Sequence, residues 1–295
     1  DLLFYTKKWN ITDDITLFEF NYEHTVKPVM ISKSGDDVVA NIGSNASSRV
    51  ATNDLNKTLD DGDETLVLTL GKNTVSDEYE HEESITDGKL IINAEQGNDK
   101  IYLKSESSEI PAEFNIIING GDGNDIIDLT DLYVAAGYYV LITGGAGADN
   151  ITGAHGLNII FGDTGTVRVD KEKDENEQDV YRLVAEANVD ANQAGGDTIL
   201  GNSGHDIIFG GAGDDQVDGG DGVDYIFGDG GSWSILTNEN DVVAALHEIS
   251  NGLVKDNVRI SRTDISLDGG KDTLIGGNDD DVIYGGGGDD HVDGG

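Results

Sequence analysis

The sequence predicts an all-β chain that coils as a parallel solenoid. Glycine makes up 41 of its 295 residues, about twice the roughly 7% share of an average protein. A nonapeptide unit of glycines, one aspartate and one aliphatic residue recurs through the C-terminal half, and internal repeats of this kind are typical of solenoids. The segments between the glycines are short and rich in β-branched and aromatic residues, so each repeat is expected to supply one strand.

The chain is strongly acidic: 58 Asp and Glu residues against 18 Lys and Arg residues give a formal net charge of −40. Such a charge repels nucleic acids and anionic membrane surfaces, and it suits a protein that binds many cations. No apolar run reaches the ~20 residues needed to span a bilayer. The lack of cysteine excludes a disulfide scaffold and a Cys-based zinc site. An acidic disordered linker could share this composition, but its apolar residues would not recur in register.

The N-terminal half, residues 1–143, carries the repeat only weakly. Residues 1–34 lack it and contain the strand-like "DITLFEFNY" and "KPVMIS"; they are predicted to be a β cap on the solenoid or the end of a preceding domain. Residues 35–143 are predicted to form an irregular solenoid with wider turns, because strand-like runs such as "KLIINAE" and "FNIIING" adjoin glycine-rich turns at uneven spacing. The best copy of the motif there is "GGDGND", which ends at Asp125.

Residues 144–295 contain eleven nonapeptides, in three runs that cover 144–170, 192–236 and 267–293. Position 8 is Ile, Val or Leu in every copy, and position 6 is Asp in eight of them; the exceptions are Asn158, Val167 and Trp233. Because side chains alternate along a strand, position 8 is predicted to face the interior and positions 7 and 9 the outside. Two nonapeptides would make one full turn of the coil, and stacked turns would make two facing parallel sheets.

Apolar burial alone cannot fold such a coil. One interior aliphatic residue stabilises it by about 1.5–3 kcal/mol, whereas ordering the backbone costs about 1–2 kcal/mol for each residue of the repeat. Glycines allow tight turns that direct carbonyl groups inward, and the Asp at position 6 adds a carboxylate. This oxygen-only set suits Ca²⁺ better than Mg²⁺, which demands tighter octahedral geometry. The binding energy of ions held between stacked loops would then become folding energy.

The nonapeptide, written Gly-Gly-x-Gly-x-Asp-x-aliphatic-x, resembles the repeat of the repeats-in-toxin, or RTX, family. Copies such as "GGAGDDQVD" and "GGGGDDHVD" carry the resemblance, which covers residues 144–295 apart from two insertions. It implies a β-roll whose glycine-rich turns bind multiple calcium ions and which folds after export. The implied location is extracellular or on the bacterial cell surface, reached by type I secretion.

The candidate metal ligands are the aspartates in the ligand position of each copy: Asp125, Asp149, Asp197, Asp206, Asp215, Asp224, Asp272, Asp281 and Asp290. If the alternation of the two edges continues across the insertions, one edge carries Asp149, Asp206, Asp224, Asp272 and Asp290, and the other carries Asp197, Asp215 and Asp281. Four pairs are expected to stack on neighbouring turns: Asp206 with Asp224, Asp197 with Asp215, Asp272 with Asp290, and Asp125 with Asp149.

Three loops depart from the pattern. Those that begin at Gly162 and Gly228 have Val167 and Trp233 in the ligand position, which leaves the loops incomplete. Their position-2 residues, Asp163 and Asp229, are candidate substitutes. Asp279 replaces a loop glycine, which predicts a distorted loop there. Asn158 offers a neutral oxygen in place of a carboxylate.

Two insertions interrupt the array, at 171–191 and 237–266. The acidic run "KEKDENEQD" in the first predicts a projecting hairpin. In the second, helical spacing predicts a short helix; the apolar residues are Val242, Leu246, Ile249 and Leu253. Each insertion would be solvated decoration or would contact a partner. The segments 195–220 and 270–295 correspond to one another, which predicts a higher-order unit of five nonapeptides plus one insertion.

No catalytic site is predicted. Ser203, His205 and Asp206 are adjacent, but a triad is defined by spatial geometry and these residues fill ordinary repeat slots. The favoured function is a calcium-dependent structural or spacer module of a large secreted or cell-surface protein, of adhesin or matrix type. The alternatives are the calcium-binding region of an exported toxin or hydrolase whose active domain lies elsewhere, and a self-assembling filament or surface-layer protein. The expected partners are calcium ions, with protein or self-association through the insertions or the solenoid ends.

Overall fold

The computed structural model describes residues 3–10, 16–23, 30–42, 63, 65–78, 81–173, 176–187, 195–237, 258–261 and 269–295. The regular elements in these ranges are β-strands. No helix in the described residues is long and apolar enough to cross a bilayer. The helix predicted over Val242–Leu253 lies outside the described ranges.

The strands up to Phe161 are β1 (Leu3–Asn10), β2 (Thr16–Glu23), β3 (Ser32–Ser34), β4 (Asp37–Asn41), β5 (Thr65–Leu70), β6 (Thr74–Asp77), β7 (Glu82–Ser84), β8 (Lys89–Asn93), β9 (Lys100–Ser105), β10 (Asn115–Asp122), β11 (Ile126–Asp128), β12 (Tyr139–Ala146), β13 (Asn150–Thr152) and β14 (Leu157–Phe161). Those that follow are β15 (Gly165–Lys173), β16 (Asp179–Ala187), β17 (Thr198–Leu200), β18 (Ile207–Phe209), β19 (Gln216–Asp221), β20 (Tyr225–Phe227), β21 (Gly231–Thr237), β22 (Val258–Ser261), β23 (Thr273–Asn278), β24 (Val282–Tyr284) and β25 (His291–Asp293).

Two long sheets form the coil. The nine-stranded sheet has the order β24-β20-β18-β14-β12-β10-β8-β4-β3, and the ten-stranded sheet has the order β25-β23-β19-β17-β13-β11-β9-β5-β6-β7. Pairing is parallel throughout the coil and antiparallel only where β3, β6 and β7 close the N-terminal edges. Uninterrupted turns place equivalent residues of every second nonapeptide side by side, as with Ile208 and Ile226. The predicted all-β parallel roll is therefore confirmed.

The interior of the coil becomes thinner along the chain. The longer strands of the wider turns, β4, β5, β8, β9, β10 and β12, bury two or three aliphatic side chains each; β5, for example, buries Leu66, Leu68 and Leu70. From β13 onward each strand of the coil contributes one inward aliphatic residue at position 8, such as Ile199 or Val217. Hydrophobic stabilisation scales with apolar area removed from water, so it is weakest where the nonapeptide is most regular.

The insertions form a sheet of their own, with antiparallel strands in the order β15-β16-β21-β22. We call it the insertion sheet. It covers the outer face of the nine-stranded sheet and builds a second apolar core with it: Leu157, Ile159, Phe161, Ile207, Phe209, Tyr225 and Phe227 pack with Leu183, Ala185, Ala187, Trp233 and Ile235. The hairpin predicted in the first insertion is present as β15 and β16, and the described residues of its acidic run are exposed; what the prediction missed is that the hairpin packs against the coil. In the nine-stranded sheet the outward side chains at positions 7 and 9 are aliphatic or aromatic, and burying them under the insertion sheet stabilises the fold.

Aromatic rings stack along the covered face, one from each successive strand. The centroid of Phe209 lies 5.1 Å from that of Phe161 and 4.6 Å from that of Phe227, and Tyr284 follows 5.3 Å beyond Phe227. Stacking at this spacing adds to the area buried. The opposite sheet has polar residues at many of the same positions, as in the triplets "NIT", "QVD" and "HVD".

Within residues 1–34, β1 and β2 pair as an antiparallel hairpin, and β3 pairs with β4 at the N-terminal edge of the nine-stranded sheet. Ile31 is buried in the coil interior. Whether the segment serves as a cap or ends a preceding domain stays a prediction.

Candidate metal centre

Each insertion interrupts the glycine loop of one nonapeptide. A Cβ atom on Gly144 would meet the Oδ2 atom of Asp149, five positions later, and a Cβ on Gly162 would meet the Oδ2 of Asp197 in the same way. Gly162 and Asp197 are thus positions 1 and 6 of one loop, with residues 165–194 inserted between positions 3 and 4. The second split loop runs from Gly228 to Asp272, with residues 231–269 inserted.

This geometry corrects four predictions. Val167 and Trp233 are not in ligand positions; they belong to strands β15 and β21 of the insertion sheet. The ligand positions of those two loops hold Asp197 and Asp272, so the loops are complete. The chain leaves the coil at Gly165 and Gly231, earlier than the predicted bounds. The higher-order unit contains four nonapeptides, not five, and its insertion is the whole of 231–269.

Successive ligand positions on one edge are joined by a repeated hydrogen bond, in which the backbone N–H of each residue donates to Oδ1 of the next, at 2.8–3.1 Å. The long ladder contains Asp99, Asp125, Asp149, Asp197, Asp215, Asp272 and Asp290. The short ladder contains Asn158, Asp206, Asp224 and Asp281.

The four predicted neighbouring pairs do share an edge. The predicted division of all the aspartates between the two edges is wrong, because each split loop forms one half-turn of the coil and not two. Asp149, Asp272 and Asp290 therefore lie on the edge of Asp215, and Asp281 lies on the edge of Asp224.

The second carboxylate oxygen, Oδ2, is buried and accepts no hydrogen bond at eight of these positions: Asp125, Asp149, Asp197, Asp206, Asp215, Asp224, Asp272 and Asp281. None of these carboxylates takes part in an ion pair with a described residue. A buried charge without a partner is strongly unfavourable and is neutralised by a proton or by a cation. Asp290, in the last loop, is half-buried.

Each orphaned oxygen converges with a backbone carbonyl of the next turn. A Cβ atom on Gly120 would lie 2.5 Å from Asp125 Oδ2 and 2.5 Å from the carbonyl oxygen of Gly144. The two oxygens therefore lie within the sum of those two distances of each other. Ca²⁺ binds oxygen at about 2.3–2.6 Å, so one ion can contact both. The other loops repeat the arrangement, and the residues present fit calcium by donor type, spacing and lack of any internal counter-charge.

Burial raises the pKa of these carboxyl groups, and neighbouring carboxylates raise it further, although the backbone N–H donors oppose the shift. The pKa is raised to about 6 for Asp125, to about 7 for Asp149, Asp224 and Asp272, and to about 8 for Asp197 and Asp215. Burial also raises the pKa of Asp206 and Asp281. Without a metal, these carboxyl groups therefore bind protons at a higher pH than an ordinary aspartate does.

Asp163 and Asp229 have a hydrogen-bonding role in the split loops. In an unsplit loop the position-3 N–H donates to the position-2 carbonyl of the preceding turn, as from Asp221 to Asn202 at 2.9 Å. Where the preceding loop is split, the position-2 carboxylate accepts instead: Asp163 Oδ2 from the N–H of Ala212, and Asp229 Oδ2 from the N–H of Gly287, both at 2.5 Å. These side chains replace carbonyl acceptors at the points where the chain departs.

Two further loops differ from expectation. Asp279 has φ of 86°, positive like that of the position-4 glycines but below their 120–141°. The hydrogen bond from the N–H of Gly222 to the carbonyl of Asn278 is 3.3 Å, against 2.8 Å from Gly204 to Asp221, while the ladder bond to Asp281 is intact at 2.9 Å; the predicted distortion is thus small and local. Asp99 heads the long ladder, although it was not among the candidate ligands. Its loop has Ala94 where the next turn has Gly120, since Asn93 pairs with Asn119. The methyl group of Ala94 therefore occupies the space that the position-1 glycine leaves free for an ion in the other loops.

The adjacent Ser203, His205 and Asp206 have separate partners. Ser203 Oγ lies 2.6 Å from Nδ1 of His155, while Nδ1 of His205 accepts the N–H of Val223. Asp206 takes part in the short ladder. The three side chains do not form a triad.

The comparison with known families matches this description. The model of the RTX calcium-binding nonapeptide repeat matches in four copies, at residues 117–131, 141–167, 193–226 and 267–295. No curated protein and no solved structure matches the chain. Repeats of this family form β-rolls and bind calcium ions. Residues 117–295 therefore carry four matches to the RTX calcium-binding nonapeptide repeat and form a calcium-binding β-roll module built on the two aspartate ladders.

Proposed function

We propose that this chain is a calcium-dependent structural module of a large secreted or cell-surface bacterial protein, of adhesin or matrix type. The observation that carries the proposal is the row of buried Oδ2 atoms without partners on both edges of the coil. A ladder of unpaired carboxylates repels itself along its length. Calcium removes that repulsion and joins each turn to the next.

The thinning interior explains why the metal would control folding. A half-turn of the narrow coil buries one aliphatic side chain, worth about 1.5–3 kcal/mol. Ordering the backbone of a whole nonapeptide costs several times more. Cation binding that occurs only in the folded loops is added to folding free energy, so high calcium outside the cell would favour the roll and low calcium inside would favour the unfolded chain. RTX repeats typically occur in type I secreted bacterial proteins, which fits export before folding.

The shape supports stiffness more than reach. Asp206 and Asp281 hold equivalent positions in successive higher-order units, yet they are only two rungs apart on the short ladder. Neighbouring strands are about 4.7–4.9 Å apart, so one unit lengthens the coil by only about 10 Å. The described strands of the insertions add breadth, because the insertion sheet thickens one side of the roll. A role of the insertions or solenoid ends in self-association stays a prediction, which a strict monomer in light scattering at millimolar calcium would contradict.

The test is a calcium titration of the full chain after chelation, followed by circular dichroism and small-angle X-ray scattering. We expect calcium to produce β-structure cooperatively and to convert an expanded chain into a stiff, elongated particle. Magnesium at the same concentration is the control, and it should produce much less β-structure. A chain that is fully folded in chelator, or that folds equally well with magnesium, would contradict the proposal.

A further inference from the structure

We propose that the carboxamide of Asn158 takes the place of a calcium ion in the first loop of the short ladder, so that this rung closes without metal. The inference rests on the proposed function for the neighbouring loops, where calcium closes the equivalent rungs. It concerns the loop from Gly153 to Asn158, which lies between the wide turns and the regular nonapeptides.

The amide nitrogen of Asn158 lies among four oxygen acceptors. Its Nδ2 is 2.9 Å from the carbonyl oxygen of Ala154, 3.3 Å from that of Gly156, 3.2 Å from that of Gly201 and 2.9 Å from Oδ1 of Asp206. An NH₂ group has only two hydrogens, so the acceptors converge as ligands do around a cation. Gly201 is the position-1 glycine of the next turn, whose carbonyl would contact the ion in an aspartate loop.

The other half of the carboxamide is also satisfied. Its Oδ1 accepts the N–H of Ala154 at 3.0 Å, and the side chain is fully buried. One turn later, Asp206 offers a comparable loop with an Oδ2 atom that accepts no hydrogen bond. The Asn158 loop is thus neutral and has its polar atoms paired, whereas the Asp206 loop requires a proton or a cation.

The position of this rung gives it a role. Most of the long coil strands before it bury two or three aliphatic residues each, whereas β13 and the coil strands after it contribute one to the interior, so it lies where apolar stabilisation gives way to metal. Asn158 binds Asp206 directly, through its backbone N–H at 2.8 Å and through its amide. Because the Asn158 loop is ordered without metal, the first calcium loop of the short ladder, that of Asp206, can pair with a neighbouring turn that is already folded.

The experiment is hydrogen exchange read by mass spectrometry, in chelator and in calcium, with calcium counted by native mass spectrometry. It uses the full chain, Asn158→Asp and Asn158→Ala, with Asp206→Asn as the matched control. In chelator we expect residues 153–161 of the natural chain to stay protected while 201–227 exchange. Asn158→Asp should lose that protection, recover it in calcium and bind one more ion per chain. Asn158→Ala should not recover, and Asp206→Asn should bind one ion fewer.

Three outcomes would overturn the inference: exchange of 153–161 in chelator as fast as 201–209, an unchanged ion count in Asn158→Asp, or equal recovery of the Asp and Ala variants in calcium. If the natural chain bound no calcium in any loop, the proposed function would fail. The behaviour of 153–161 in chelator would still decide whether the amide holds the rung.

Discussion

A ladder carboxylate has two tasks, and Asp224 allows them to be separated. Its Oδ1 accepts the backbone N–H of Asp206 at 2.8 Å, while its Oδ2 is free of donors and lies beside the carbonyl of Gly276, which a Cβ on Gly219 would meet at 2.6 Å. Asp224→Asn keeps the acceptor and removes the charge. Asp224→Ala removes both. We expect each variant to bind one calcium ion fewer than the natural chain.

The two variants should differ in stability. The N–H of Asp206 is buried with its residue, and a buried donor left without an acceptor costs about 1–3 kcal/mol. Asp224→Ala should therefore unfold more easily than Asp224→Asn by about that amount in saturating calcium. Asparagine can also direct its NH₂ group to the carbonyls of the loop, as Asn158 does.

The assay is urea unfolding followed by circular dichroism, together with an ion count by native mass spectrometry. Asp289→Asn is the control, because Asp289 is exposed at position 5 of the last loop and its substitution should change neither quantity. A full ion count in Asp224→Asn would refute the assignment of Asp224 as a ligand. Equal stability of the Asn and Ala variants would refute the role of the ladder hydrogen bond.

Four further predictions concern the insertions, the split loops and the protons of the metal-free state. Phe209→Ala empties a fully buried site in the aromatic stack and should cost about 3–5 kcal/mol, measured by urea unfolding, with an unchanged calcium count. Asp163→Ala removes the acceptor of the Ala212 N–H and should cost about 1–3 kcal/mol; loss of an ion would instead identify Asp163 as a ligand. Asp197→Asn should remove an ion from a split loop, and the matched control Asp215→Asn should remove one from an uninterrupted loop. Only Asp197→Asn should make the insertion sheet sensitive to limited proteolysis. In chelator, burial raises the pKa of the Asp197 and Asp215 carboxyl groups from 3.8 to about 8. The metal-free fold therefore binds more protons than the unfolded chain, so it is most stable below about pH 4 and loses stability as the pH rises through 8. We expect β-structure to increase on acidification, and a flat circular dichroism signal between pH 8.5 and 4 would contradict this.

The repeat could be predicted because its signal is local. Each nonapeptide carries its own glycines, its aspartate and its inward aliphatic residue, so the coil, the turn of two repeats and the pairing of Asp206 with Asp224 follow from one period. The split loops could not be found in this way. Gly162 and Asp197 are separated by the inserted segment 165–194, and the residues after Phe161, "GDTGTVRVD", happen to continue the nonapeptide pattern into strand β15.

One signal in the sequence does reveal the split. The strand triplets of the nine-stranded sheet are "IIF", "IIF", "YIF" and "VIY", and those of the ten-stranded sheet are "NIT", "TIL", "QVD", "TLI" and "HVD". The two classes alternate along the coil only if "RVD" after Gly162 and "SIL" after Gly228 are left out. The same triplets show which face needs a cover, because aromatic residues at positions 7 and 9 would otherwise be exposed to water.

The place of the insertions follows from the metal sites and the aromatic face together. Both split loops begin where a strand of the nine-stranded sheet ends, at Phe161 and at Phe227, so the departing chain can fold back across the outer face of that sheet. Each insertion returns to the ligand position of the same loop, Asp197 or Asp272. An ion bound there would join the last aspartate of the split loop to the first glycine of the next turn, Gly210 or Gly285. It would fix the far end of a loop lengthened by the whole insertion, whose closure entropy the chain must otherwise overcome. The calcium ladder and the second apolar core are thus coupled at two ions, and loss of those ions should loosen both.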